Sequence, residues 1–206
     1  MAQLHEQEPA HNNTVEQYLV SAPPRVGGNL IADIIKSAGD KNFLKTVHTH
    51  DPRHVLDNYS NTALIIVKRR DAFASIMSNC IVWHTQQSTI YSNQTIVPFT
   101  VSEENFLWQY GFNIWHSKSV DLSRSYAVIE EFYFEDFVNN HQHVLDRLGL
   151  VSNPFRARRL NFLNKAPYSY HNVVLNYKQL KVLFDGLDPE RTTNPYIDGY
   201  QSMLNK

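Results

Sequence analysis

The chain has 206 residues, enough for one domain or one domain with a small appendage. Acidic and basic residues nearly cancel, 20 against 19, which argues against a general nucleic-acid binder but leaves room for one local anion pocket. The single cysteine, Cys80, excludes an intrachain disulfide and a thiolate metal site. No apolar run reaches the roughly 18 residues that span a bilayer.

With 42% apolar residues a real core is expected. The first residues, MAQLHEQEPAHNN, are polar and read as neither signal peptide nor anchor. The expectation is a cytoplasmic protein with a loose tail over residues 1–15 and one domain over 16–206. Its oligomeric state is open.

EQYLVSA, Glu16 to Ala22, is a short strand candidate. PPRVGG follows. Leu30, Ile31, Ile34 and Ile35 then recur at helical spacing up to Gly39. FLKTVHTH, Phe43 to His50, reads as a second strand, and DPRHVLDNY as a short helix. ALIIVK, Ala63 to Lys68, is a continuous apolar run of the kind buried on both faces of a parallel sheet. RRDAFASIMSNCIVWH reads as a helix, with Cys80 a buried thiol among apolar neighbours.

The polar stretch Thr85 to Thr100 suits a lid or an ordinary surface loop. Ser102 caps a helix through ENFLWQYGFNIWH, with Glu103 and Glu104 in its first turn. YAVIEEFYF is a further strand. EDFVNNHQHVLDRLGL is an amphipathic helix burying Phe137, Val144, Leu145 and Leu148. PFRARRLNFLNKAPYSYHNV reads mostly as basic loop, and YKQLKVLFDGL as a helix. The alternation predicts an α/β fold: a three-layer sandwich with a central parallel sheet and its ligand edge at the carboxyl ends of the strands.

Two loops at that edge carry chemistry. In SAPPRVGGNLIADII, glycines at a helix mouth let backbone N–H groups converge on an anion, and Arg25 adds a permanent bidentate donor. A tight structural turn is the alternative. The loop is not a Walker A motif, because the cation precedes the glycines. In VKRRDAFASIMS, Arg70 closes a strand and Ser78 lies eight residues on, about two turns into the helix. Together they suit a second phosphate. A solvated charge cluster and a helix serine are the alternative.

The two loops together resemble the sulfotransferase family, whose donor is 3′-phosphoadenosine 5′-phosphosulfate. The family's PKSGTT or PRSGTT corresponds to PRVGGN here, Pro24 to Asn29. Its strand ending in R[ND]P, with a serine eight residues after the arginine, corresponds to RDAFASIMS. FEDF, Phe134 to Phe137, with LGL at Leu148 to Leu150, is similar to YEDL…FLGL. KTVHTHDP, Lys45 to Pro52, is near the family's KTHLP. The likeness is ordered and spans residues 16–150.

The resemblance implies a P-loop-like sulfotransferase architecture and transfer of a sulfuryl group to a hydroxyl or amine of a small-molecule or carbohydrate acceptor. The 5′-phosphosulfate would lie on Pro24, Arg25, Val26, Gly27, Gly28 and Asn29, with Arg25 neutralising the transferring group. Arg70 and Ser78 would bind the 3′-phosphate. His50 would be the general base, with His48 on the same strand face as its competitor. The scheme requires no metal.

The chain departs from the pattern at Val26, Gly28, Asn29 and Ala72, and it lacks the family's late Arg-Lys-Gly. Arg156, Arg158, Arg159 and Lys165 lie in that region without identifying spacing. Two other readings stand beside transfer: a catalytically silent module binding a nucleotide or partner, and a nucleotide kinase-like phosphotransferase. The second would need a lysine and Mg²⁺ ligands that the motifs do not supply.

His141 and His143 do not face each other on a helix, which argues against a metal there. Glu130, Glu131, Glu135 and Asp136 form an acidic run whose paired carboxylates would suit glycoside chemistry, but beside the FEDF helix start they read as capping and surface residues. Trp83, Tyr91, Phe99, Trp108, Tyr110, Phe112 and Trp115 divide between core and a candidate acceptor pocket.

Overall fold

Four strands, β1 (Gln17–Ser21), β2 (Lys45–Thr49), β3 (Thr62–Lys68) and β4 (Val128–Tyr133), pair in parallel in the order β2-β1-β3-β4. The computed structural model describes residues 15–38, 45–51, 59–86, 95–153 and 169–189. β1 is buried at every position and β3 at all but its last, as expected for central strands covered on both faces. β2 and β4 are the edges and are only partly buried. The register sets Val20 beside His48 and Ile65, and Ser21 beside Thr49 and Ile66.

Strand alternation divides the core. Tyr18, Val20, Ile65, Val67 and Phe132 face α1 (Gly28–Ala38) and α5 (His141–Arg147), meeting Ile31, Ile34, Ile35 and Val144. Leu19, Leu64 and Ile66 form the opposite face, under Val120 and Tyr126. A second apolar cluster joins α2 (Ala72–Thr85), α3 (Glu103–Ser119), α6 (Tyr170–Val173) and α7 (Tyr177–Asp185) through Phe73, Met77, Phe106 and Leu180. The C-terminal segment is tied in by main-chain bonds between Phe99 and Val173–Leu175. The Asn176 amide also brackets both main-chain groups of Val101.

Asp71 caps α2 by accepting from the Ala74 N–H at 2.8 Å, and Ser102 caps α3 by accepting from the Asn105 N–H at 3.2 Å. Two expectations need correction. The helix read over EDFVNNHQHVLDRLGL is two pieces, α4 (Phe134–Phe137) and α5, because Asn140 leaves helical geometry at φ −141°. Asn139 and Asn140 have side chains that compete with the helix for backbone groups. YHNV, read as loop, forms α6.

The helix expected in DPRHVLDNY, the middle of the Thr85–Thr100 stretch, the N-terminal tail and the basic residues 156–165 lie outside the described residues.

The chain steps from β1 outward to β2, then crosses back to β3 on the other side of β1. The carboxyl ends of β1 and β3 therefore mark a topological switch point, where parallel sheets open a crevice.

Candidate functional site

The loop leaving β1 turns sharply at that crevice. Arg25 has φ 66° and Gly27 φ 92°, both left-handed. The segment after β3 and the first two turns of α2 hold it there. The Ser75 hydroxyl donates to the Pro24 carbonyl at 3.3 Å, Arg69 donates to the Arg25 carbonyl at 3.3 Å, and Arg25 Nε donates to Ser78 Oγ at 3.1 Å.

Val26 is 2% exposed and belongs to the core, so only its main chain faces the loop's concavity. Gly27 and Gly28 are required by close approach. A Cβ on Gly27 would meet Phe134 Cδ2 at 2.6 Å, and one on Gly28 would overlap His48 Nε2 and stand 2.7 Å from Ala22 Cβ. Asn29 is exposed in the first turn of α1. The first-turn N–H groups of a helix have no intrahelical acceptor, which makes this end of α1 electropositive.

At the end of β3 the FEDF element meets the start of α2. Glu135 accepts main-chain N–H groups from Arg70 at 3.1 Å and Asp71 at 3.3 Å. Asp136 holds the Arg70 guanidinium by two bonds of 2.6 and 2.7 Å, and Arg70 also lies 4.5 Å from the Tyr133 ring centroid. Each partner shifts the other's titration: the bond to Arg70 lowers the Asp136 carboxyl, and the bond to Asp136 raises Arg70. Phe134 and Phe137 pack over Gly27, while Arg69 stacks 4.9 Å from the Phe134 centroid. The acidic run therefore works as capping and pairing. Glu131 pairs with Lys68, and Glu130 with Arg147.

The structure thus brings Arg25 and Ser78 together, whereas the Arg70 side chain is engaged by Asp136. Ser78 is 5% exposed, yet its hydroxyl hydrogen is not used by the bond it accepts from Arg25.

Histidines gather at the ends of β1 and β2. His48 lies on the α1 face, and its Nε2, buried against Gly28, makes no hydrogen bond. Burial, then His50 and then Lys36, lower its pKa to about 4. His50 lies just past β2, exposed, with ring centroid 4.7 Å from that of His48. Its Nδ1 is 2.7 Å from the Ala22 carbonyl oxygen, which can only accept. Nδ1 therefore carries the proton, and neutral His50 keeps its lone pair on Nε2.

His116 of α3, 2% exposed, approaches Ser21 Oγ at 3.3 Å. Burial first, and then His50, lower its pKa to about 4. Residue-by-residue reading of the loops missed His116. Its signal was helical spacing: it follows Phe112 by four residues and so shares the buried face of α3.

Other expectations fall away from this edge. Trp83, His84, Phe99, Ser102, Glu104 and Trp108 line a groove of about 550 Å³. It stands at the last turns of α2, about 18 Å of helix from Asp71 at 1.5 Å per residue. Phe99, Tyr110, Phe112 and Trp115 are core residues, and Tyr91 lies outside the described residues. His143 packs edge-on to Phe132. Among the described residues no three His, Cys, Asp or Glu side chains cluster in a way that could hold a metal ion. Nor is any helix long and apolar enough to cross a membrane. Set against known proteins, the chain matches no family model, no curated protein and no solved structure.

Proposed function

We propose that the chain is a sulfotransferase that takes a sulfuryl group from 3′-phosphoadenosine 5′-phosphosulfate and passes it to a hydroxyl or amine of a small molecule or carbohydrate. The observation that carries this reading is the Arg25–Ser78 hydrogen bond. It ties the loop leaving β1 to α2 across 53 residues of sequence, at the switch point of a parallel sheet.

When bound, the donor supplies an activated sulfur with a phosphate leaving group; the chain's residues do the rest. The N–H groups of Gly27, Gly28 and Asn29 hold the 5′-phosphosulfate on the dipole of α1. Arg25 neutralises the bridging oxygen as its bond to sulfur breaks and the acceptor oxygen's bond to sulfur forms. His50 Nε2 takes the acceptor's proton. Its tautomer and exposure suit this role, whereas His48 is sealed against Gly28. Arg70 and Ser78 take the 3′-phosphate.

Calorimetric titration tests the donor assignment. Adenosine 3′,5′-bisphosphate is expected to bind more tightly than ATP, and Arg70→Ala to abolish the preference. Equal or absent binding sinks the assignment.

A silent nucleotide-binding module is the second reading, favoured by one observation. The His48 ring fills the space beside Gly28 where the family carries a hydroxyl. Donor binding without transfer across a broad acceptor panel, with Arg25→Ala as control, would select it.

A further inference from the structure

We propose that Asp136 competes with the donor's 3′-phosphate for Arg70 and thereby sets how tightly the bisphosphate product is held. This rests on the donor reading above. Both arms of the Arg70 fork are taken by the two carboxylate oxygens of Asp136, at 2.6 and 2.7 Å. A phosphate recognised by arginine uses the same fork. Those two N–H groups cannot serve both acceptors at once.

The surroundings make the exchange feasible. Arg70 and Asp136 side chains are 53% and 38% exposed, so water and ligand reach the pair. Exposed ion pairs are weak, and one phosphate can displace one carboxylate. The main chain need not follow the side chain. Glu135, not Asp136, holds the N–H groups of Arg70 and Asp71. The guanidinium can leave Asp136 while the entrance to α2 stays capped.

A thermodynamic consequence separates this from a purely structural ion pair. A ligand whose 3′-phosphate takes this edge of the guanidinium must displace Asp136, and one whose 3′-phosphate takes the Nε edge still lies beside the carboxylate's negative charge. A ligand without one leaves the pair intact. Removing the Asp136 charge should therefore strengthen binding of the first ligand alone. In turnover, the returning carboxylate speeds product departure.

The experiment titrates wild type, Asp136→Asn, Asp136→Ser and Asp136→Glu with adenosine 3′,5′-bisphosphate and with adenosine 5′-phosphate at one ionic strength. Asn and Ser are expected to tighten the bisphosphate by roughly two- to fivefold while adenosine 5′-phosphate binding stays unchanged. Glu, which keeps the charge, should stay near wild type. Unchanged or weaker bisphosphate binding in Asn and Ser overturns the competition, as does equal tightening of both ligands. If no form binds the bisphosphate, the donor reading itself fails and this inference falls with it.

Discussion

Arg25 is a non-glycine residue held left-handed, a conformation that costs about 1–2 kcal/mol. It is tolerated because three bonds from Arg69, Ser75 and its own Nε to Ser78 fix the loop. Beside it, Gly28 is explained by packing. A serine would ordinarily suit a helix start, but its Cβ would collide with His48 and Ala22. Gly28→Ser is therefore expected to lower stability by about 1–3 kcal/mol. His48→Ala in the same chain should restore part of it, as urea denaturation of the three variants would show. Additive losses would refute the contact. At this scale Arg25 and Ser78 could be singled out from residue type, but the spacing pairs Ser78 with Arg70, and its bond to Arg25 was not readable. The reason for Gly28 was not readable, since it depends on a ring 20 positions away.

The start of α2 is capped twice, locally by Asp71 and from a distance by Glu135. Asp71→Ala should cost about 1 kcal/mol, the usual worth of a side-chain cap. Chemical denaturation measures it directly. A loss well above that would mean the Glu135 contact collapses with it.

The Ser102 cap was visible in SEENF; Asp71 in RRDAF offered two readings, a cap or a partner for an arginine, and the structure shows the cap. That Glu135 caps the distant α2 was not visible, because the contact joins residues 64 or 65 apart. The central strands were legible because burial on both faces leaves an unbroken apolar run. The break between α4 and α5 was not: helical periodicity continues across Asn139 and Asn140, and only the backbone shows that these residues leave the helix.

At the scale of the molecule, stability should depend on pH through two partly or wholly buried rings. His48 and His116 have folded pKa values near 4, below the unfolded value of 6.5. Folding therefore favours the neutral rings. That stability is fully present above pH 6.5 and is lost as pH falls toward 4. His116 alone should account for about 2 kcal/mol between pH 7 and pH 5, and the less buried His48 for less. Urea midpoints at the two pH values check this, with His116→Gln flattening the profile. A wild-type profile already flat over that range would contradict the burial of both rings.

One more feature links these scales. Asn79 of α2 and Gln109 of α3 join their amides across the contact between the two helices, and both are buried. Apolar side chains tolerate sliding; a matched amide pair does not. Slipping one helix by a turn, about 5.4 Å, would strand two buried polar groups. The pair works as an index pin that fixes the register of α2 against α3.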